Sequence, residues 1–127
     1  MALTSRQKAL QIATAALDSK ADALTILDLR KISATFDYFV ICSATSQRRA
    51  QAIADAIEAS IAPTGAMLWH REGYSDGDWI LLDYGSVVGH IFTPELRAFY
   101  QLDRLWGDAP RVAPRGGPPR RALQPAR

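Results

Sequence analysis

Between positions 9 and 17 apolar residues recur at helical intervals. Ala9, Ile12, Ala13, Ala16 and Leu17 share one side, while Gln11, Thr14 and Asp18 fall on the other. This period predicts an amphipathic helix over residues 5–19. Thr4, with Gln7 three positions on, has the spacing of a reciprocal capping box at its start. Residues 24–29 then read as a short strand. Tyr38, Phe39, Val40, Ile41 and Cys42 follow Asp37 without a polar break, as in a central strand buried on both faces. Ser43, Thr45 and Ser46 supply capping hydroxyls, and Ala50, Ile53, Ala54, Ile57 and Ile61 return to the helical period. A second helix is expected over about 46–61, stopped by Pro63 and Gly65. Residues 66–70 read as a third strand, and the Gly-rich stretch 73–78 as a turn. Residues 79–84 and 87–92 form a hairpin about Gly85 and Ser86. Thr93 and Pro94 open a third helix bearing Leu96, Phe99 and Tyr100, with a last helical turn at 102–106 before Gly107. The order α-β-β-α-β-β-β-α, without internal repeat, implies an α/β fold: a single mixed sheet of about five strands flanked by helices.

Composition narrows the class. A chain of 127 residues, 48% apolar and 22% charged, suits one folded domain. Cys42 is the sole cysteine, so no intrachain disulfide forms and no zinc cluster of the usual Cys/His spacing can be written. The longest apolar run, residues 38–42, is far short of a membrane span. The first residues show no basic stretch followed by an apolar one, so a cytoplasmic protein is expected. Charge is uneven: of 15 basic and 13 acidic residues, all 13 acids but only ten bases lie in residues 1–110. The last 17 residues hold Arg111, Arg115, Arg120, Arg121 and Arg127 with four prolines. We therefore expect a domain over 1–110 and a disordered tail over 111–127. The tail reads either as an electrostatic arm for RNA or as an inert soluble extension. The mildly acidic body suits a basic protein partner.

Candidate chemistry is thin. Cys42 closes an apolar run and reads as a buried, inert thiol. His70 and His90 fall on different expected strands, with nothing in the sequence tying them into a metal site. Asp76 and Asp78 could share a divalent cation, but they fall in a Gly-rich turn, where turn chemistry alone explains them. The 43–46 segment leads into a helix N-terminus but lacks the glycines of a phosphate cradle. The segment around residues 79–106 is richer: Trp79, Tyr84, Phe92, Phe99, Tyr100 and Trp106 are interleaved with, or flanked by, Asp78, Asp83, Glu95, Asp103 and Asp108. Strand alternation puts Trp79, Leu81 and Asp83 on one face and Ile80, Leu82 and Tyr84 on the other. These aromatics either anchor a protein–protein hot spot or fill the space between sheet and last helix.

Several segments resemble the ribosomal silencing factor (RsfS, or Iojap-like) family. They are Asp37-Tyr38-Phe39-Val40-Ile41-Cys42-Ser43-Ala44-Thr45-Ser46, Glu72-Gly73, Trp79-Ile80-Leu81-Leu82-Asp83-Tyr84-Gly85, Val88-x-His90-Ile91-Phe92 and Tyr100-x-Leu102-Asp103-Arg104-Leu105-Trp106-Gly107-Asp108-Ala109. The match runs in order over about residues 6–110. The resemblance implies a nucleotidyltransferase-like fold without the catalytic motif; Gly85-Ser86 is not followed by paired aspartates. It implies no enzyme activity and no cofactor. It implies binding to the large ribosomal subunit, on the protein numbered fourteen at the intersubunit face. Subunit joining is then blocked sterically and translation repressed when nutrients are scarce. Homodimers of the free protein are implied too. Expected contact residues are Trp79, Leu81, Asp83, Tyr84, Tyr100 and Asp103, followed by Glu72 and Trp106. Two other readings stand beside this one. The first is a diverged nucleotidyltransferase or nucleotide binder using Asp76, Asp78 and the 43–46 loop. The second is an RNA chaperone working through the arginine tail.

Overall fold

The capping box forms as its spacing predicts. Gln7 N donates to Thr4 Oγ1 (3.1 Å) and Thr4 N to Gln7 Oε1 (2.9 Å). It opens helix α1 (Ser5–Asp18), which leads to strands β1 (Asp22–Asp28) and β2 (Tyr38–Ser43). Ser46 then caps α2 (Gln47–Ile61) by accepting from Arg49 N at 3.0 Å. A 3-10 turn with Pro63 follows and ends at Gly65, whose φ is +84°. Then come β3 (His70–Glu72), β4 (Trp79–Asp83), β5 (Val87–Phe92), α3 (Pro94–Tyr100) and β6 (Arg111–Val112). The computed structural model describes residues 3–100 and 109–114, with Phe99 and Tyr100 described by their backbone. The helical turn expected at 102–106 and the tail from 115 onward lie outside the described residues.

The six strands make one mixed sheet in the order β3-β4-β5-β2-β1-β6. β2 and β5 pair in parallel at its centre, and the other pairs are antiparallel. Every residue of these two central strands is buried, as the unbroken apolar run predicts. Helices α1 and α2 cover one face, where Ile12, Ala16, Ile53 and Ile57 meet Ile26, Val40, Ile80, Leu82 and Ile91. The second face carries Leu27, Leu29, Phe39, Ile41, Val88 and Phe92, with Trp79, Leu81 and Leu96 on its margin.

Two expectations are corrected. The sheet has six strands, not about five, because Arg111–Val112 pairs with Leu27 and Ile26 of β1. The domain therefore runs beyond residue 110, and Asp28 N donates to Pro110 O at 2.8 Å beside the new strand. The edge of β1 offers a row of backbone donors and acceptors to any extended segment that passes it, whatever that segment's composition. The third strand starts at His70 rather than Ala66. Trp69 N, bonded to Asp83 O at 2.8 Å, is the first group of that segment to reach the sheet. Upstream of it, Met67 stands 69% exposed and Trp69 68%.

Candidate functional site

The hairpin of β4 and β5 sets the geometry of the second face. Gly85 adopts φ +90° in its two-residue turn, a conformation open to glycine without strain. Tyr84 N bonds to Val87 O at 2.9 Å, closing the register that puts Leu81 opposite His90 and Trp79 opposite Phe92. On the outer side Glu72 faces Leu81 and His70 faces Asp83. Three bands result. Exposed His70 and Glu72 form the rim, in contact with each other. Half-buried Trp79, Leu81 and Asp83 make the middle. Buried His90, Val88, Phe92 and Phe39 form the floor.

Trp79 is the most constrained member of the middle band. Its ring stacks on Phe92 with centroids 4.9 Å apart at 28°. Its Nε1 donates to His90 Nδ1 at 3.2 Å. His90 is 4% exposed, and burial pulls its pKa down to about 4. The Phe39 ring meets it edge-on at 4.6 Å. Asp83 Oδ1 accepts from Gly85 N at 2.8 Å, so its carboxylate is held beside the turn.

The expected contact residues divide accordingly. Trp79, Leu81, Asp83 and Glu72 come together on this face. Tyr84 does not: alternation turns it into the helix-covered core, where it is 2% exposed and burial pushes its hydroxyl up to about 12. It is therefore removed from the contact set. Tyr100 lies on α3, its side chain outside the described features, and Asp103 and Trp106 lie outside the described residues. Sequence reasoning missed the tie between Trp79 and His90. The signal was present, since counting outward from Gly85-Ser86 places 81 against 90 and 79 diagonally beside 90.

The residues of the enzymatic alternative also converge, but mostly on structural tasks. Asp78 Oδ1 accepts from Gln47 Nε2 at 2.8 Å. Gly77, at φ +74°, packs so tightly that a Cβ would sit 2.9 Å from Gln47 O. Ser46 caps α2, and Ser43 Oγ accepts from Arg97 Nη1 at 3.0 Å. A cleft of about 480 Å³ between Thr45, Asp78 and Glu95 has two carboxylates in its wall, which disfavours a phosphate. Among the described residues no three His, Cys, Asp or Glu side chains gather as a metal site, and no helix is long and apolar enough to cross a membrane. The Cys42 thiol is buried and thereby raised to about 12.

The family model described as "Ribosomal silencing factor during starvation" matches residues 2–126. The chain belongs to the ribosomal silencing factor family. It is similar to ribosomal silencing factors of Bacillus subtilis (42% identical over 102 residues, 80% of this chain and 86% of the relative) and Halalkalibacterium halodurans (40% over 109 residues, 85% and 93%). The chloroplastic protein Iojap of Zea mays is 35% identical over 104 residues, 80% of this chain and 44% of that protein. A crystal structure of a Chromobacterium violaceum protein superposes with a TM-score of 0.80 at 25% identity, covering 93% and 92% of the two chains. One from Bacillus halodurans gives 0.71 at 37% identity, covering 82% and 95%. Membership of the ribosomal silencing factors makes this chain a ribosome-associated regulator of translation.

Proposed function

We propose that the face built by β3, β4 and β5 docks this chain on the large ribosomal subunit, at its protein numbered fourteen, and that the bulk of the bound domain keeps the small subunit away. The observation that carries the reading is Trp79: a half-exposed aromatic, immobilised on a buried ring, with Leu81 beside it and Asp83 and Glu72 around it. A rigid aromatic anchor rimmed by charge is the composition of an interface hot spot. The acidic excess of residues 1–110 favours a basic protein over bare RNA. The chain then acts in the cytoplasm by occupying space, with no bond made or broken. Among the described residues the outer edge of β3 has no strand partner, which gives a second copy of the free chain a place to pair.

The test is co-sedimentation with purified large subunits, followed by subunit joining on sucrose gradients. Trp79→Ala should weaken binding by about 2 kcal/mol or more. Asp83→Lys should slow association and weaken it further at low salt. If both variants sediment with the subunit as the parent does, the docking face is elsewhere. Magnesium-dependent thermal protection by ATP or GTP would instead favour the nucleotide-binding reading.

A further inference from the structure

We propose that His90 is a positioning residue for docking: by accepting the indole N–H of Trp79, it fixes which edge of that ring faces the partner. The inference rests on the reading of the β3–β4–β5 face as the docking surface.

Stacking on Phe92 at 4.9 Å limits the tilt of the Trp79 ring, but a stack tolerates a ring turned over by half a revolution. The hydrogen bond does not. Only one of the two flipped orientations brings Nε1 to within 3.2 Å of His90 Nδ1. Since Nδ1 accepts, the proton of the neutral imidazole sits on Nε2. Nε2 is buried and has no protein hydrogen-bond partner among the described residues. A buried donor left unmatched is costly, and a phenyl ring would fill the same space without that penalty. Packing alone therefore does not account for histidine at this position; an acceptor for Trp79 does. His90 can serve as a fixed reference because it is itself clamped, 4% exposed, with Phe39 edge-on at 4.6 Å and Phe92 nearly parallel at 6.2 Å. The arrangement resembles a second layer that orients a first layer of contact groups.

The experiment compares His90→Phe, which keeps a ring but no acceptor, with His90→Asn, which keeps an acceptor near the Nδ1 position. Two quantities are read: affinity for purified large subunits and the indole N–H resonance of Trp79, assigned through Trp79→Phe. His90→Phe should move the indole resonance toward that of an unbonded indole and weaken binding about tenfold. His90→Asn should restore most of both. A wild-type indole resonance already at the unbonded position overturns the proposal and needs no variant. So does His90→Phe binding like wild type while Trp79→Ala binds weakly, an outcome that leaves the docking face intact. Wild-type binding by Trp79→Ala itself removes the docking face, and the role of His90 with it. If His90→Phe does not fold, His90→Leu is read in its place by the same two criteria.

Discussion

Acidification should unlock this fold through His90, and the size of the effect can be worked out. The imidazole has an ordinary pKa of 6.5 that burial lowers to about 4 in the folded chain. Above pH 6.5 it is neutral in both states and contributes no pH dependence. As pH falls from 6.5 toward 4, the unfolded chain takes up a proton that the folded chain refuses, so stability drains away. Below 4 the folded chain is protonated too and the loss levels off. That gap corresponds to about 3 kcal/mol. In a domain of this size it amounts to a fall of roughly 10 °C in melting temperature. The local reason is visible: a charged imidazole would present a donor to the Trp79 donor, breaking the bond described above. Thermal unfolding followed by circular dichroism from pH 7 to pH 4 should show the decline in the wild type. His90→Asn, which does not titrate, should be flatter by that amount. The comparison cancels carboxylates common to both proteins. These include Asp28, which its hydrogen bonds to Arg30 hold below the usual range, so that its contribution is lost at lower pH still. Parallel wild-type and His90→Asn curves over this window would refute the argument.

Three further outcomes are expected. Gly73→Ala should be among the most damaging single changes: its Cβ would lie 2.0 Å from Trp79 O at a residue with φ +77°, and urea midpoints should fall by about 2 kcal/mol or more. Ile57→Ala, at a site 1% exposed between α2 and the sheet, should cost about 2–5 kcal/mol in the same assay. Ser46→Ala removes the acceptor for Arg49 N at the start of α2 and should cost about 1 kcal/mol, largely recovered by Ser46→Asp.

What could be read from the sequence follows how local the cause is. The caps at Thr4 and Ser46 are decided within four residues, and both form. The burial of β2 and β5 on two faces is written in their own apolar runs. β6 was illegible because two residues have no period and Arg111 argues against a strand by composition. Its pairing is decided by the edge of β1, more than eighty positions away. Tyr84 shows the opposite failure. Alternation already separated it from Trp79, but aromatic density in the segment outweighed that in choosing contacts. The pairing of Trp79 with His90 needed the hairpin register together with burial, and only the first of these is a property of the sequence.

The two margins of the sheet are built differently. On one side β6 is two residues long and bracketed by Pro110 and Pro114, neither of which can donate to an incoming strand. On the other, β3 leaves its outward amides and carbonyls to solvent among the described residues. Among the described residues β3 is thus the margin open to an added strand, and a copy of this chain pairing there would use that margin up. If a second copy pairs there, as proposed, the two margins close on each other and the backbone pairing ends at a pair rather than extending into a filament.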